Sequence, residues 1–244
     1  MIDRIAPTHR PDGPPQGFHQ WRSLLFVHWE VPVDVLRAKM PERVAIDTFE
    51  GKAFVGLVPF TMMGIRPMRW APPVPGVSAF HETNVRTYVH VDGVPGVWFF
   101  SLDAASSVAV RVARRFFHLP YFRAEMELAR DGDGVRYTSK RLWPEPTPAT
   151  LDLAYTIGDD ASPSEPGSFQ HFLVERYFLY SVKRDGTLVR GQVHHTPYPV
   201  RRAAITRMEE SFVAAAGIAT HGREAVSVLY SEGVDVEVFP IGPV

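Results

Sequence analysis

The residues best suited to chemistry lie in one stretch, Phe80-His81-Glu82-Thr83-Asn84-Val85-Arg86-Thr87-Tyr88-Val89. Read as a strand, it places Glu82, Asn84, Arg86 and Tyr88 in one row and His81, Thr83, Val85, Thr87 and Val89 in the other. A carboxyl, an amide and a guanidinium in one row suit a small organic acid or carbonyl compound. Arg86 would hold the carboxylate in a bidentate grip, Asn84 would add hydrogen bonds, and Glu82 would act as acid or base. The row could also face water. The opposite row, with His81, Thr83 and Thr87, is however not a clean core face. Beside an arginine Glu82 would stay ionised, and against an apolar wall its pKa would rise; both environments remain open.

Further candidates flank this row. Val97-Trp98-Phe99-Phe100-Ser101-Leu102-Asp103 is apolar on both faces, as a central strand is, and Trp98 and Phe100 are the expected aromatic wall. Glu175-Arg176-Tyr177 ends a short helix. Neighbours in sequence do not face each other there, so Glu175 is either half of a structural ion pair or a site carboxylate. His194 and His195 close a strand and point opposite ways, which suits one site histidine, His194, better than two ligands to one metal. No His-Glu-x-x-His pattern, Gly-x-Ser-x-Gly, phosphate-binding glycine loop or dinucleotide fingerprint is present, so neither a metal nor a cofactor is expected.

Short β-like runs must position these groups: Trp21 to Val31, Ala53 to Phe60, Phe80 to Val91, Val97 to Asp103, Phe122 to Arg130 and Val135 to Leu142. Asp131-Gly132-Asp133-Gly134 and Asp185-Gly186 mark hairpins, and Glu232-Gly233 is read as a third, between Ala225 to Ser231 and Val234 to Phe239. Phe80 to Val91 should pair with Val97 to Asp103 through Asp92 to Gly96. Few helices are expected. Ala105, Val108, Ala109, Val112 and Phe116 form a stripe after an Asp103 N-cap, and a second helix is read from Pro199 to before Gly217. Two shorter ones fall at Pro32 to Lys39 and Ser168 to Arg176. In the proline-rich loops Ile65 to Val77 and Leu142 to Pro148, Met68, Trp70 and Trp143 are expected to pack down.

The class follows: α+β, a mostly antiparallel β-barrel with a few peripheral helices. Residues 1–20 read as a polar arm and 21–244 as a single domain. The net charge of −1 argues against nucleic acid or an anionic membrane as partner, and no apolar run approaches the ~20 residues of a membrane helix. The absence of cysteine removes disulfides and thiolate chemistry. With no signal-peptide pattern the expected location is the cytoplasm. Assembly of several copies stays open. All cations except Lys39, Lys52, Lys140 and Lys183 are arginines, so amine-nucleophile chemistry has four side-chain candidates.

A family resemblance rests on several motifs: Leu24-Leu25-Phe26-Val27-His28-Trp29, Ala53-Phe54-Val55-Gly56-Leu57-Val58-Pro59-Phe60, Glu82 to Val89, Gly96 to Ala104, Leu119-Pro120-Tyr121, Glu175-Arg176-Tyr177 and His194 to Pro199. Together they resemble the YqjF-like proteins, an uncharacterised family (domain of unknown function 2071), over nearly the whole chain. That family is similar to the acetoacetate decarboxylase superfamily. The resemblance implies a cone-shaped barrel with a central pocket, and Glu82 as a pocket residue. It also sets a departure. Where the decarboxylases carry a Schiff-base lysine this chain has Tyr121, and Arg115 stands where a glutamate is expected. A phenol forms no imine, and a guanidinium does not become a neutral amine. The resemblance therefore implies the fold without the Schiff-base mechanism. The expected function is binding of a small organic acid or carbonyl compound, either by an enzyme of lyase, isomerase or hydrolase type or by a non-catalytic binding or interaction module.

Overall fold

The computed structural model describes residues 2–75, 78–116, 118–144, 147–159, 162–220 and 222–244. The strands are β1 (Gly17–Val31), β2 (Ala45–Ile46), β3 (Ala53–Arg66), β4 (Ala79–Val91), β5 (Val94–Ala104), β6 (Tyr121–Asp131), β7 (Gly134–Trp143), β8 (Thr150–Ile157), β9 (Ser162–Pro163), β10 (Phe178–Val182), β11 (Leu188–His194), β12 (Pro199–Glu210), β13 (Ser227–Val238) and β14 (Gly242–Pro243). The helices are α1 (Val33–Arg37), α2 (Ser107–Phe116), α3 (Phe169–Val174) and α4 (Phe212–Ala215). The protein is thus mostly sheet with few helices. Its pairings are antiparallel except β5 with β6 and β5 with β10. The expected β4–β5 hairpin is present and turns tightly at Asp92-Gly93, both with positive φ, as such turns require.

The sheet closes on itself. A ring of nine strands runs β5–β6–β7–β8–β12–β13–β1–β3–β4 and back to β5. A second circuit shares β13, β1, β3, β4 and β5 and closes through β10 and β11. The shared strands are therefore covered on both faces. Leu25, Val27 and Trp29 of β1, Val55 and Leu57 of β3, and Val85 of β4 pack with Tyr137 of β7 and Leu151, Leu153 and Tyr155 of β8 inside the nine-strand ring. The alternate residues, Leu24 and Phe26, Phe54, Val58 and Phe60, and Tyr88, pack with Leu229, Val234 and Val236 of β13 and with Phe172, Leu173 and Val174 of α3. The row Glu82, Asn84, Arg86, Tyr88 belongs to this second face, so it is inward and buried.

Several expectations are corrected. The segment from Pro199 is strand β12, antiparallel to β8, and only Phe212–Ala215 is helical. A register shift between Ile205 and Arg207 adds one residue, so inward Ile205 and Met208 stand three apart and mimic a helical stripe. Glu232-Gly233 is no hairpin either. β13 runs straight through it, in constant register with β1 from Gly17↔Val238 to His28↔Ser227. Gly233 has φ 134°, and a Cβ there would lie 2.0 Å from the Trp21 carbonyl oxygen, so the glycine admits a close strand crossing. In α2 Val110 and Ala113 are buried, while Val108 and Val112 are exposed. Asp103 does not cap that helix; it pairs with Arg141. Met68, Trp70 and Trp143 stay exposed, Trp70 at 80%. Parts of both proline-rich loops, residues 76–77 and 145–146, lie outside the described residues. β1 begins at Gly17, within the stretch read as an arm, and the preceding residues are tied down by Arg4 to Asp47 and Arg10 to Glu237. No helix among the described residues is long and apolar enough to cross a membrane.

Candidate functional site

Backbone register sets the site. Across four strands, His28 of β1 stands opposite Gly56 of β3, Gly56 opposite Arg86 of β4, and Arg86 opposite Phe99 of β5. Gly56 has no side chain in this row, and a Cβ there would meet His28 Cδ2 at 3.1 Å and Arg86 Cγ at 3.6 Å. The missing side chain lets imidazole and guanidinium lie side by side.

Arg86 is buried at 8% exposure, with its guanidinium 5.4 Å from the Phe26 ring centroid and 5.8 Å from that of Tyr88. One terminal nitrogen donates to the Leu173 carbonyl oxygen at 3.1 Å, and Nε has no partner. No carboxylate among the described residues forms an ion pair with it. Tyr88 also donates to the Leu173 oxygen, at 2.7 Å, and its hydroxyl lies 2.7 Å from His28 Nε2. The tyrosine proton is thus committed to the carbonyl, so His28 Nε2 carries the proton it donates to Tyr88. His28 Nδ1 is then a buried acceptor without a partner. Burial first, and the Arg86 charge second, hold the His28 pKa well below the usual histidine range.

Glu175 closes α3 and is buried. It accepts from the Tyr177 hydroxyl at 2.7 Å and from the Tyr198 backbone N–H at 2.8 Å. Burial raises its pKa, those hydrogen bonds oppose the rise, and the Arg86 charge lowers it further. It therefore shares the Arg86 neighbourhood without forming the ion pair. Its neighbour Arg176 points elsewhere, to Asp47 at 3.1 Å.

Glu82 belongs to a separate environment. Four strand residues, about 13 Å, separate it from Arg86. Its Oε2 accepts from the Tyr121 hydroxyl at 3.0 Å. Burial pushes the Glu82 carboxyl up to about 8; the Tyr121 bond lowers it and the Asp103 charge raises it again. Burial thus favours the protonated form of Glu82. Asp103 itself stays held by Arg141, with two bonds of 2.7 Å. Asn84 lies between the two ends, and its Oδ1 is buried without a partner.

The row and Tyr121 therefore come together on one face, with Glu175 at its Arg86 end. Trp98 and Phe100 do not join them. A register shift between Val85 and Arg86 puts Phe99 on the Arg86 face and turns Trp98 and Phe100 to other clusters. His194 stands opposite Glu237 on β13 and is half-buried. The fully buried histidine of the two is His195, which continues the alternation of buried Val189 and Gly191 and partly buried Val193 and stacks on Tyr177 at 4.6 Å. That alternation is the signal available for it, and Gly56 is the signal for His28. Lys39, Lys52 and Lys140 are exposed and Lys183 is half-buried, and none lies in the row. A depression of about 770 Å³ opens on β6, β7 and β8, with Lys140 and Glu209 on its rim; no residue of the row lines it. No cluster of metal-ligating side chains is found among the described residues.

Residues 19–235 match the model of a family described as an uncharacterized conserved protein, domain of unknown function 2071. The uncharacterized protein YqjF of Bacillus subtilis (strain 168) is 40% identical over 193 residues, 79% of this chain and 78% of that one. Among solved structures, an acetoacetate decarboxylase from Legionella pneumophila is similar in fold with TM-score 0.60 at 14% identity, over 96% of this chain and 88% of that one. The enduracididine biosynthesis enzyme MppR complexed with pyruvate has TM-score 0.61 at 13% identity, over 95% and 91%. The fold is acetoacetate decarboxylase-like.

Proposed function

The chain belongs to the domain of unknown function 2071 family, and on that premise we propose that it binds a small organic acid at Arg86, inside the barrel-like second circuit. The observation that carries this reading is a buried guanidinium with no carboxylate partner and an idle Nε. Arginine cannot relieve burial by losing its proton, because its pKa exceeds ~12. Its carboxylate neighbour Glu175 is bound to the Tyr177 hydroxyl and the Tyr198 N–H and makes no ion pair with it, so an anion is the direct partner this guanidinium suits. The aromatic packing of Phe26, Tyr88 and Phe99 around it restricts the ligand to few heavy atoms. Pyruvate in the fold relative MppR is an acid of this size.

Glu82 supplies the second function. A carboxyl that keeps its proton at pH 7 can donate to a carbonyl or leaving group, with Tyr121 orienting it. The lysines all lie outside the row, so the reaction in this reading is general-acid chemistry and not Schiff-base decarboxylation. Where Glu82 does not act, the same geometry serves a non-catalytic binder, and Glu82→Gln separates the two. The partner is the small acid, with neither nucleic acid nor membrane involved, in a cytoplasmic protein.

The test is thermal shift and calorimetry with small carboxylic acids and their neutral amides. Acids should stabilise the protein and amides should not. Ligand at 100 times its Kd adds about 2.7 kcal/mol. Arg86→Met should abolish the shift. Equal responses to acids and amides would overturn the reading.

A further inference from the structure

His195 and Trp21 present a pair of unmet hydrogen-bonding needs on the same inner face. His195 Nδ1 lies 2.8 Å from the Thr196 carbonyl oxygen, which only accepts, so Nδ1 carries the proton. Burial pulls the ring pKa down to about 4, and the imidazole is neutral. Its Nε2 is then a bare acceptor, buried and without a partner. The Trp21 indole lies 5.9 Å from the same ring, tilted by 54°, and its Nε1–H is a buried donor without a partner. The two do not bond each other.

The chemistry of the two atoms calls for one group that both accepts and donates. A hydroxyl accepts from the indole N–H and donates to the imidazole Nε2. A ketone or aldehyde oxygen carries lone pairs only. It could take the indole bond but would leave the imidazole acceptor bare, and a buried polar group left unpaired is what discriminates strongly between ligands. Packed rings link the place to the neighbourhood of Arg86. Tyr198 packs on His195 at 4.5 Å and on Phe26 at 5.3 Å, and Arg86 sits over Phe26. Tyr177, held by Glu175, fixes the other side of the imidazole at 4.6 Å.

We propose that His195 and Trp21 form a hydroxyl-recognition subsite, so that the acid held by Arg86 is a hydroxy acid in preference to the corresponding keto acid. This inference rests on the Arg86 reading. Its test is calorimetry on the full chain with matched pairs: lactate against pyruvate, β-hydroxybutyrate against acetoacetate, and γ-hydroxypentanoate against levulinate. At least one hydroxy acid should bind at least about tenfold more tightly than its keto partner. His195→Gln, which keeps an acceptor, should keep that ratio; His195→Phe should bring it near one. Trp21→Phe should weaken both members of the pair, since both accept from the indole. If acids bind but no pair favours the hydroxy form, or if His195→Phe leaves the ratio unchanged, the subsite is refuted and the Arg86 reading stands. If no acid binds in any pair, both readings fall.

Discussion

The two ends of one β4 face show how burial treats an acid and a guanidinium differently. Glu82 and Arg86 sit on the same strand, the same side and at similar depth. At the Glu82 end burial favours the protonated carboxyl, which needs no counterion. At the Arg86 end the guanidinium lies against two aromatic rings and one carbonyl oxygen, with no ion pair among the described residues. A buried acid therefore points to proton chemistry, and a buried, unpaired guanidinium points to an anion. About 13 Å of strand keeps them from cancelling each other.

The largest effect should come from breaking the Arg86 end. Arg86→Met replaces a buried unpaired cation with an apolar side chain of similar length. The variant is expected to lose acid binding in calorimetry, and the Glu175 pKa should rise further once the Arg86 charge is gone. An Arg86→Met variant that binds acids as the wild type does would remove the contrast.

Glu82→Gln probes the other end through pH. The folded pKa of about 8 lies above the unfolded value, so Glu82 favours the folded state fully below about pH 4.5, and that contribution is lost as pH rises through 8. Glutamine does not titrate. Wild type and Glu82→Gln should therefore differ little at pH 5, while at pH 9 the variant should be more stable, on the order of a few kcal/mol. Parallel stability–pH curves would show that Glu82 is ionised in the fold.

His195 has the opposite slope. Its folded pKa is depressed to about 4, so its contribution is present above pH 6.5 and is lost as pH falls towards 4. His195→Gln should flatten that acid limb, as read by urea midpoints. A smaller change is expected for Tyr121→Phe. Loss of the hydroxyl removes a bond that favours the Glu82 carboxylate, so the Glu82 titration should move upward, as seen in difference infrared spectra of the carboxyl band. The smallest expected effect is none: borohydride with acetoacetate should trap no lysine adduct, and a mapped adduct at Lys39, Lys52, Lys140 or Lys183 would restore imine chemistry.

Much of the fold and site is legible in the sequence because it is local. Period two in β4 puts Glu82 and Arg86 in one row, and the Asp-Gly turns mark the β6–β7 and β10–β11 hairpins. What misleads depends on phase. Composition favours Trp98 and Phe100 over Phe99, because no residue near them signals the extra residue that flips β5 against β4. His194 and His195 are equivalent in sequence, because adjacent residues differ only in which side becomes inner. β12 reads as a helix because its register shift spaces Ile205 and Met208 as a helix would.

The sequence by itself determined the alternating strands, the tight turns, the scarcity of lysine and the chemical repertoire of β4, since each follows from side-chain identity and short-range geometry. The tertiary structure decided which rows face inward, that β10 and β11 close a second circuit, that the Leu173 carbonyl caps Arg86 and Tyr88, and that burial raises the Glu82 pKa. These outcomes depend on register and burial. Both are set by pairing between segments far apart in the chain, where a single inserted residue exchanges one face for the other.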